Sequence, residues 1–146
     1  MNRILVGLDG SESERHVLEA AVSLASRMGG RLVLFRAVSL PIGLPAQALA
    51  LSPDNVGNLL ADSALQHLQV LAKSLPVDLV ERVQVEMGVA WRAVCDAAEA
   101  DSADLIVIGS HGYGGIDRLV GTTAGKIVNH APCSVLVARR PKTGTA

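Results

Sequence analysis

Short apolar runs alternate with segments of helical period along this chain, and that alternation restricts the fold more than any other feature. The first and fourth of these runs, Ile4–Leu8 and Leu105–Ile108, are continuous rather than interrupted by polar residues, as expected for parallel strands that are covered on both faces. We predict strands at Arg3–Leu8, Arg31–Val38, Val80–Met87, Leu105–Ile108 and Ser134–Ala138. Strands separated by helices in this way predict an α/β fold with a mostly parallel sheet and right-handed crossovers.

Helical periodicity lies between these runs. Apolar residues spaced by three and four, among them Val17, Ala21 and Leu24, predict a helix over 13–28 that stops at Gly29-Gly30. Further helices are predicted over 54–74, 91–100 and 123–130. Three prolines make the segment Pro41–Pro53 a loop or flap rather than a linker between domains. We therefore expect a single domain over 1–140 and a flexible tail over 141–146.

Composition excludes several classes of protein. The chain is 49% hydrophobic and 18% charged, which excludes a disordered protein. Its net charge of −1, without a basic cluster, argues against a nucleic-acid partner. No apolar run approaches the roughly 18 residues of a membrane span and no signal-peptide pattern is present, so we expect no membrane partner and a cytoplasmic location. Cys95 and Cys133 lie in separate predicted elements and are interpreted as reduced thiols.

Two loops at the carboxyl ends of predicted strands could carry chemistry, since ligands of such sheets bind there. The first covers 7–13, and the second covers 109–115 and holds four glycines in seven residues. Glycines let backbone N–H groups approach an anion closely, although they could equally form tight turns alone. Thr122 or Thr123 is the predicted N-cap of the following helix, whose free N–H groups would suit phosphate.

Familiar phosphate-binding and catalytic patterns do not fit this sequence. Too few residues separate Gly121 from Gly125 for a Walker loop, and G-x-G-x-x-G is absent from the first strand-to-helix turn. Ser110 lacks the glycine pattern of a nucleophile elbow, and the histidines lack metal-ligand spacing, so we expect no enzyme. Asp9, at a strand end, could stabilise an Asx-type turn, accept from a ribose hydroxyl, or lie near phosphate-bound Mg²⁺.

Three blocks of sequence resemble one known family. Residues 4–12, 103–112 and 130–137 read ILVGLDGSE, ADLIVIGSHG and HAPCSVLV, and they resemble the opening, the fourth strand and the ending of universal stress proteins. The resemblance implies a three-layer α/β/α sandwich with four helices and a five-stranded parallel sheet ordered 3-2-1-4-5. It also implies a homodimer through the last strand, Ser134–Ala138, which agrees with the need to cover an apolar sheet edge.

The resemblance also implies a binding site for an adenine nucleotide. The glycines of the pattern G-x-x-G, followed by G-[ST], fall on Gly109, Gly112 and Gly121-Thr122, with Thr123 beside them. Asp9 falls near adenine and ribose, Ala37 where main chain meets adenine, and Val89 near the base pocket. Eight residues separate Gly112 from Gly121, one fewer than in the nucleotide-binding pattern.

The function expected from the sequence is therefore regulatory. We expect a stress-response protein that binds an adenine nucleotide, ATP with accompanying Mg²⁺, between strands one and four, with little or no hydrolysis. The shortened spacing leaves two alternatives open. One is a stress module that binds no nucleotide and acts through protein contacts, and the other is a relative that binds AMP or cyclic AMP.

Overall fold

A five-stranded sheet forms the centre of the computed structural model, in which residues 2–39, 53–110 and 121–139 are described. The strands are β1 (Arg3–Gly7), β2 (Arg31–Val38), β3 (Val80–Met87), β4 (Leu105–Gly109) and β5 (Ser134–Ala138). In the described ranges the helices are α1 (Glu14–Met28), α2 (Pro53–Lys73), α3 (Ala90–Ala100) and α4 (Thr122–His130). The predicted α/β fold with four helices is confirmed, and element boundaries differ from the predictions by one residue where they differ.

The sheet is parallel throughout, in the order β3-β2-β1-β4-β5. Leu5 of β1 pairs with Val33 of β2 on one side and with Ile106 of β4 on the other. The predicted order 3-2-1-4-5 is therefore confirmed. Because β1 is followed in sequence by β2 while its other neighbour is β4, the order reverses between β1 and β4, which creates a topological switch point.

Apolar side chains cover both faces of the sheet, as the continuous apolar runs predict. Successive strand residues point to opposite faces, so Ile4 and Val6 pack with α1 and α2, whereas Leu5 packs with α3 and α4. All three side chains are fully buried. Two layers of helices on a central sheet make the three-layer α/β/α sandwich that the sequence predicted.

Glycine stops α1 where the sequence predicted. Gly29 has φ +69° and ψ +29°, a left-handed conformation that glycine adopts without steric cost. Gly30 donates its N–H to the carbonyl of Ala25 at 2.9 Å, which satisfies a carbonyl at the helix end. The chain can then turn directly into β2.

The guanidinium of Arg3 in β1 contacts β3 and the end of α3 at the amino ends of the strands. Arg3 donates from Nη2 to Oε1 of Glu81 at 2.8 Å, and its Nε lies 2.7 Å from Oε2 of the same carboxylate. It also donates to the carbonyl of Asp101 at the end of α3. The hydrogen bond from Arg3 lowers the pKa of Glu81, which remains charged beside the guanidinium.

Further sequence predictions concern the flap, the tail, membrane-spanning segments and the two cysteines. Residues 41–52 of the proposed flap and the whole proposed tail, 141–146, lie outside the described residues, so both remain predictions. Within the described ranges, no helix is long and apolar enough to cross a membrane. Cys95 is buried and Cys133 half-buried, both are free, and burial raises the pKa of each thiol.

Leu68 offers a direct test of how much α2 depends on its buried face. Its side chain is 0% exposed, so Leu68→Ala should lower the free energy of unfolding by about 2–5 kcal/mol through lost burial and a residual cavity. The measurement is urea denaturation followed by circular dichroism. Val70 lies on the same helix but is 66% exposed, so Val70→Ala should change stability by less than about 0.5 kcal/mol. Equal losses in both variants would contradict this packing.

Candidate functional site

A cleft of about 340 Å³ lies at the carboxyl ends of β1 and β4, where the strand order reverses. The ends of β1, β2 and β4 form its floor, and the first turns of α3 and α4 form its walls. It is lined by Gly7, Leu8, Asp9, Phe35, Ala37, Ala90, Val94, Ile108, Gly109, Gly121, Thr122, Thr123, Ala124 and Ile127. The position agrees with the general rule for ligand sites in open α/β sheets.

The cleft brings together predicted site residues that are far apart in sequence. Six of the proposed site residues line it, namely Asp9, Ala37, Gly109, Gly121, Thr122 and Thr123. Val89 does not line it, since this residue is the N-cap of α3 with 63% of its surface exposed, and the next residue, Ala90, contributes to the wall instead. Gly112 lies outside the described residues.

The loop after β1 is organised by Asp9. Its Oδ1 accepts the N–H of Ser11 at 2.9 Å, which confirms the Asx-type turn that the sequence left as one alternative. Ser11 Oγ then accepts the N–H of Ser13 at 3.3 Å. Ser13 occupies the N-cap position of α1 but makes no side-chain capping hydrogen bond. The turn holds Asp9 at the mouth of the cleft without a side-chain cap from Ser13.

Gly10 is the strained position of this loop. Its φ is +75°, and a Cβ placed on it would lie 3.0 Å from Nη1 of Arg36. The guanidinium of Arg36, which extends from β2, therefore lies against the backbone of the loop. The left-handed conformation favours glycine here, whereas the guanidinium is the end of a flexible side chain and could shift by the small distance that a Cβ needs.

The start of α4 corrects one sequence prediction. The N-cap is Gly121 rather than Thr122 or Thr123, and no side chain caps this helix among the described residues. Gly121 donates its N–H to the carbonyl of Ser110 at 2.7 Å, so this tertiary contact fixes where the helix begins. The N–H groups of the first helical turn are left without intrahelical acceptors at the wall of the cleft. Both threonines lie within that turn, with their side chains exposed.

Apolar residues that were not predicted as site residues form most of the remaining wall of the cleft. Phe35, Val94, Ile108 and Ile127 line the cleft from the strand ends and from α3 and α4. Gly7 permits this close packing, because a Cβ there would lie 2.9 Å from Cγ2 of Ile108. In the sequence these residues look like ordinary core positions, and only their place at strand and helix ends could have indicated the cleft.

The described wall of the cleft carries little charge. Asp9 is the charged side chain of that wall, and the other polar groups are threonine hydroxyls and backbone atoms. Within the described ranges, no group of three or more histidine, cysteine, aspartate or glutamate side chains could hold a metal ion. A divalent cation would therefore depend on ligand oxygens as well as on Asp9.

The fold and the cleft together define an open α/β protein with a cleft at its switch point. A profile of the universal stress protein family matches residues 1–139, and the chain belongs to that family. A universal stress protein of Methanocaldococcus jannaschii is 28% identical over 145 residues, covering 96% of this chain and 83% of that protein.

Solved structures agree with this membership. The universal stress protein UspA of Lactobacillus plantarum has a TM-score of 0.72 and 27% identity, covering 94% of this chain and 97% of that one. A universal stress protein solved in complex with cAMP has a TM-score of 0.66 and 24% identity, covering 96% of this chain and 98% of that one. At that identity, the second likeness shows the fold alone.

Gly10→Ala tests the geometry of the loop after β1. The variant should lose about 1–2 kcal/mol of stability from left-handed strain, with little further loss because the guanidinium of Arg36 can shift. Gly29→Ala is the matched control, because Gly29 has φ +69° but no atom within 4 Å of its added Cβ. Thermal and urea denaturation should therefore show similar losses in the two variants. A Gly10→Ala protein as stable as the natural one would contradict the left-handed conformation of Gly10.

Proposed function

We propose that this chain is a regulatory protein that binds an adenine nucleotide, ATP with Mg²⁺, in the cleft between β1 and β4. The carrying observation is that one cleft joins apolar walls to the uncapped amino end of α4. Adenine needs an apolar slot with a few polar contacts, and a phosphate needs N–H donors. The resemblance of three sequence blocks to nucleotide-binding universal stress proteins supports the same assignment.

The base and ribose would lie at the β2 and α3 side of the cleft. Ala37 lies one residue before the end of β2 and has a small side chain, so its backbone can approach a planar base, and Ala90 and Val94 offer apolar contacts. The carboxylate of Asp9 would accept from a ribose hydroxyl. Val89 would contact the base from outside the cleft edge.

The phosphates would lie at the α4 side. The free N–H groups of its first turn and the hydroxyls of Thr122 and Thr123 would supply donors there, and Gly109 and Gly121 would let the phosphates approach the backbone closely. Gly112 belongs to the same proposed cradle by its place in the sequence pattern. Mg²⁺ would be held chiefly by phosphate oxygens and would offset their charge in a wall that offers no cationic side chain among its described residues.

We further propose that hydrolysis is slow or absent. Efficient attack on a phosphate requires a base that orients water, and the described wall presents Asp9 alone, already engaged in its turn. Nucleotide binding would then act as a signal rather than as a step in turnover. A cytoplasmic location fits two free thiols, Cys95 and Cys133.

AMP or cyclic AMP is the second candidate ligand. Eight residues between Gly112 and Gly121 give a shorter loop than the ATP-binding pattern, which would reduce the contacts available to the outer phosphates. A universal stress protein of the same fold has been solved in complex with cAMP. Competition between ATP, AMP and cyclic AMP in one titration separates the candidates.

We also propose a homodimer through β5. This strand is the last in the sheet order, and Leu136 at its centre is 37% exposed. An edge strand with exposed apolar residues is usually covered or paired, and a two-fold axis would bring two copies of β5 together. The alternative function, a stress module that acts only through protein contacts, would share this dimer, so the dimer does not distinguish the functions.

Ala90→Phe tests the nucleotide site. Ala90 lines the cleft but is exposed, so a phenylalanine should fill the opening without disturbing the core and should weaken nucleotide binding at least about tenfold. Ala100→Phe, at the exposed far end of α3, is the matched control and should bind as the natural protein does. Isothermal titration with ATP, AMP and cyclic AMP gives the affinities. Absence of binding to all three at millimolar concentration would instead favour the protein-contact module.

Leu136→Glu tests the dimer. Paired copies of β5 would bring two glutamates close to the two-fold axis, so the variant should be a monomer where the natural protein is a dimer. Light scattering after size-exclusion chromatography gives the mass directly. Val77→Glu is the control, since Val77 is 92% exposed and lies away from β5 in the α2–β3 connection. A dimer that survives Leu136→Glu would contradict pairing through this strand.

A further inference from the structure

Three basic side chains surround the single tryptophan of the chain on the outer side of α3 and α4. The guanidinium carbon of Arg92 lies 5.2 Å from the centre of the Trp91 ring, and Nζ of Lys126 lies 5.8 Å from it. The ring of His130 is 4.8 Å away at an interplanar angle of 34°. These four residues, called here the Trp91 patch, come from both helices.

The cations of the Trp91 patch have no acidic partner within the described part of the chain. The ion pairs found there involve Arg3, Arg15, Arg82 and His67, and none involves Arg92, Lys126 or His130. Arg92, Lys126 and His130 are exposed, and Trp91 is half-buried. The ring attracts the cations over its face but does not neutralise them, so their charge remains available to an anionic group.

We propose that the Trp91 patch is a docking site for a short acidic segment of a protein partner. Carboxylates would pair with Arg92 and Lys126, while an apolar side chain of the segment would lie against the exposed edge of Trp91. Tryptophan and arginine are the residues most often found at the centres of protein interfaces. This site lies outside the nucleotide cleft, and the proposal does not depend on nucleotide binding.

Charges beside the patch limit the length of the partner. Asp96 and Glu99 are exposed on α3 one and two turns beyond Arg92. They would repel a long polyanion such as nucleic acid or an anionic membrane that extended along the helix. The net charge of −1 also gives no broad attraction for a polyanion. A short acidic segment would contact only the Trp91 patch, because its carboxylates would end before Asp96.

A fluorescein-labelled pentapeptide of three glutamates and two leucines is the probe, and fluorescence anisotropy of the peptide is the readout. We expect saturable binding to the natural protein at low salt, weakened as salt rises, and no binding of the matched peptide with glutamines. Arg92→Gln with Lys126→Gln should lower the affinity roughly tenfold, as expected for two exposed charge pairs. Trp91→Phe should lower it less than the double variant does.

The control removes the same charge elsewhere. Arg27→Gln with Lys73→Gln also removes one arginine and one lysine, both exposed, from α1 and α2 on the other side of the sheet. It should bind the acidic peptide as the natural protein does. Equal weakening in both double variants would mean attraction by net charge alone and would overturn the proposal. No saturable binding, or tighter binding of a single-stranded oligonucleotide or anionic vesicles, would also overturn it.

Discussion

The adjacency of β1 and β4 is the constraint on which the rest of the structure depends. Ile4, Leu5 and Val6 of β1 and Ile106 and Val107 of β4 are fully buried, so each strand must be covered on both faces. The chain leaves β1 for α1 on one face and leaves β4 towards α4 on the other. The two connections diverge at the carboxyl ends, and the divergence opens the cleft between Asp9 and Gly109.

Much of the fold could be predicted because its central strands, β1 and β4, are continuous apolar runs and segments of helical period separate all five strands. The predicted bounds of β2, β3 and β5 agree with the structure, since Gly, Pro or polar residues interrupt the hydrophobic pattern at their ends. The helix starts were less predictable. Propensity favours threonine as an N-cap, but the hydrogen bond from Gly121 to Ser110 fixes the start of α4 one residue earlier. That contact joins segments that local sequence cannot relate.

The polar residues of the candidate site were predicted from the sequence, whereas most of its apolar residues were not. Asp9 and Gly109 stand out in the sequence because a carboxylate or a glycine at the end of an apolar run is not explained by core packing and so indicates another role. Phe35 and Ile127 do not, because an apolar residue in an apolar run is already explained by the core. Both serve the core and the wall of the cleft at once. Only their three-dimensional position beside the cleft distinguishes the second role.

The pair α3 and α4 connects the two proposed binding sites, because each helix contributes residues to both. Val94 and Ile127 face inward to the cleft, while Arg92 and Lys126, close to them in sequence, belong to the Trp91 patch on the outer side. A nucleotide that changes the packing of α3 on α4 would therefore change the spacing of the cations around Trp91. Linkage then requires that an acidic partner change nucleotide affinity by the same factor. If the two helices keep one arrangement, the sites are independent, and nucleotide binding leaves partner affinity unchanged.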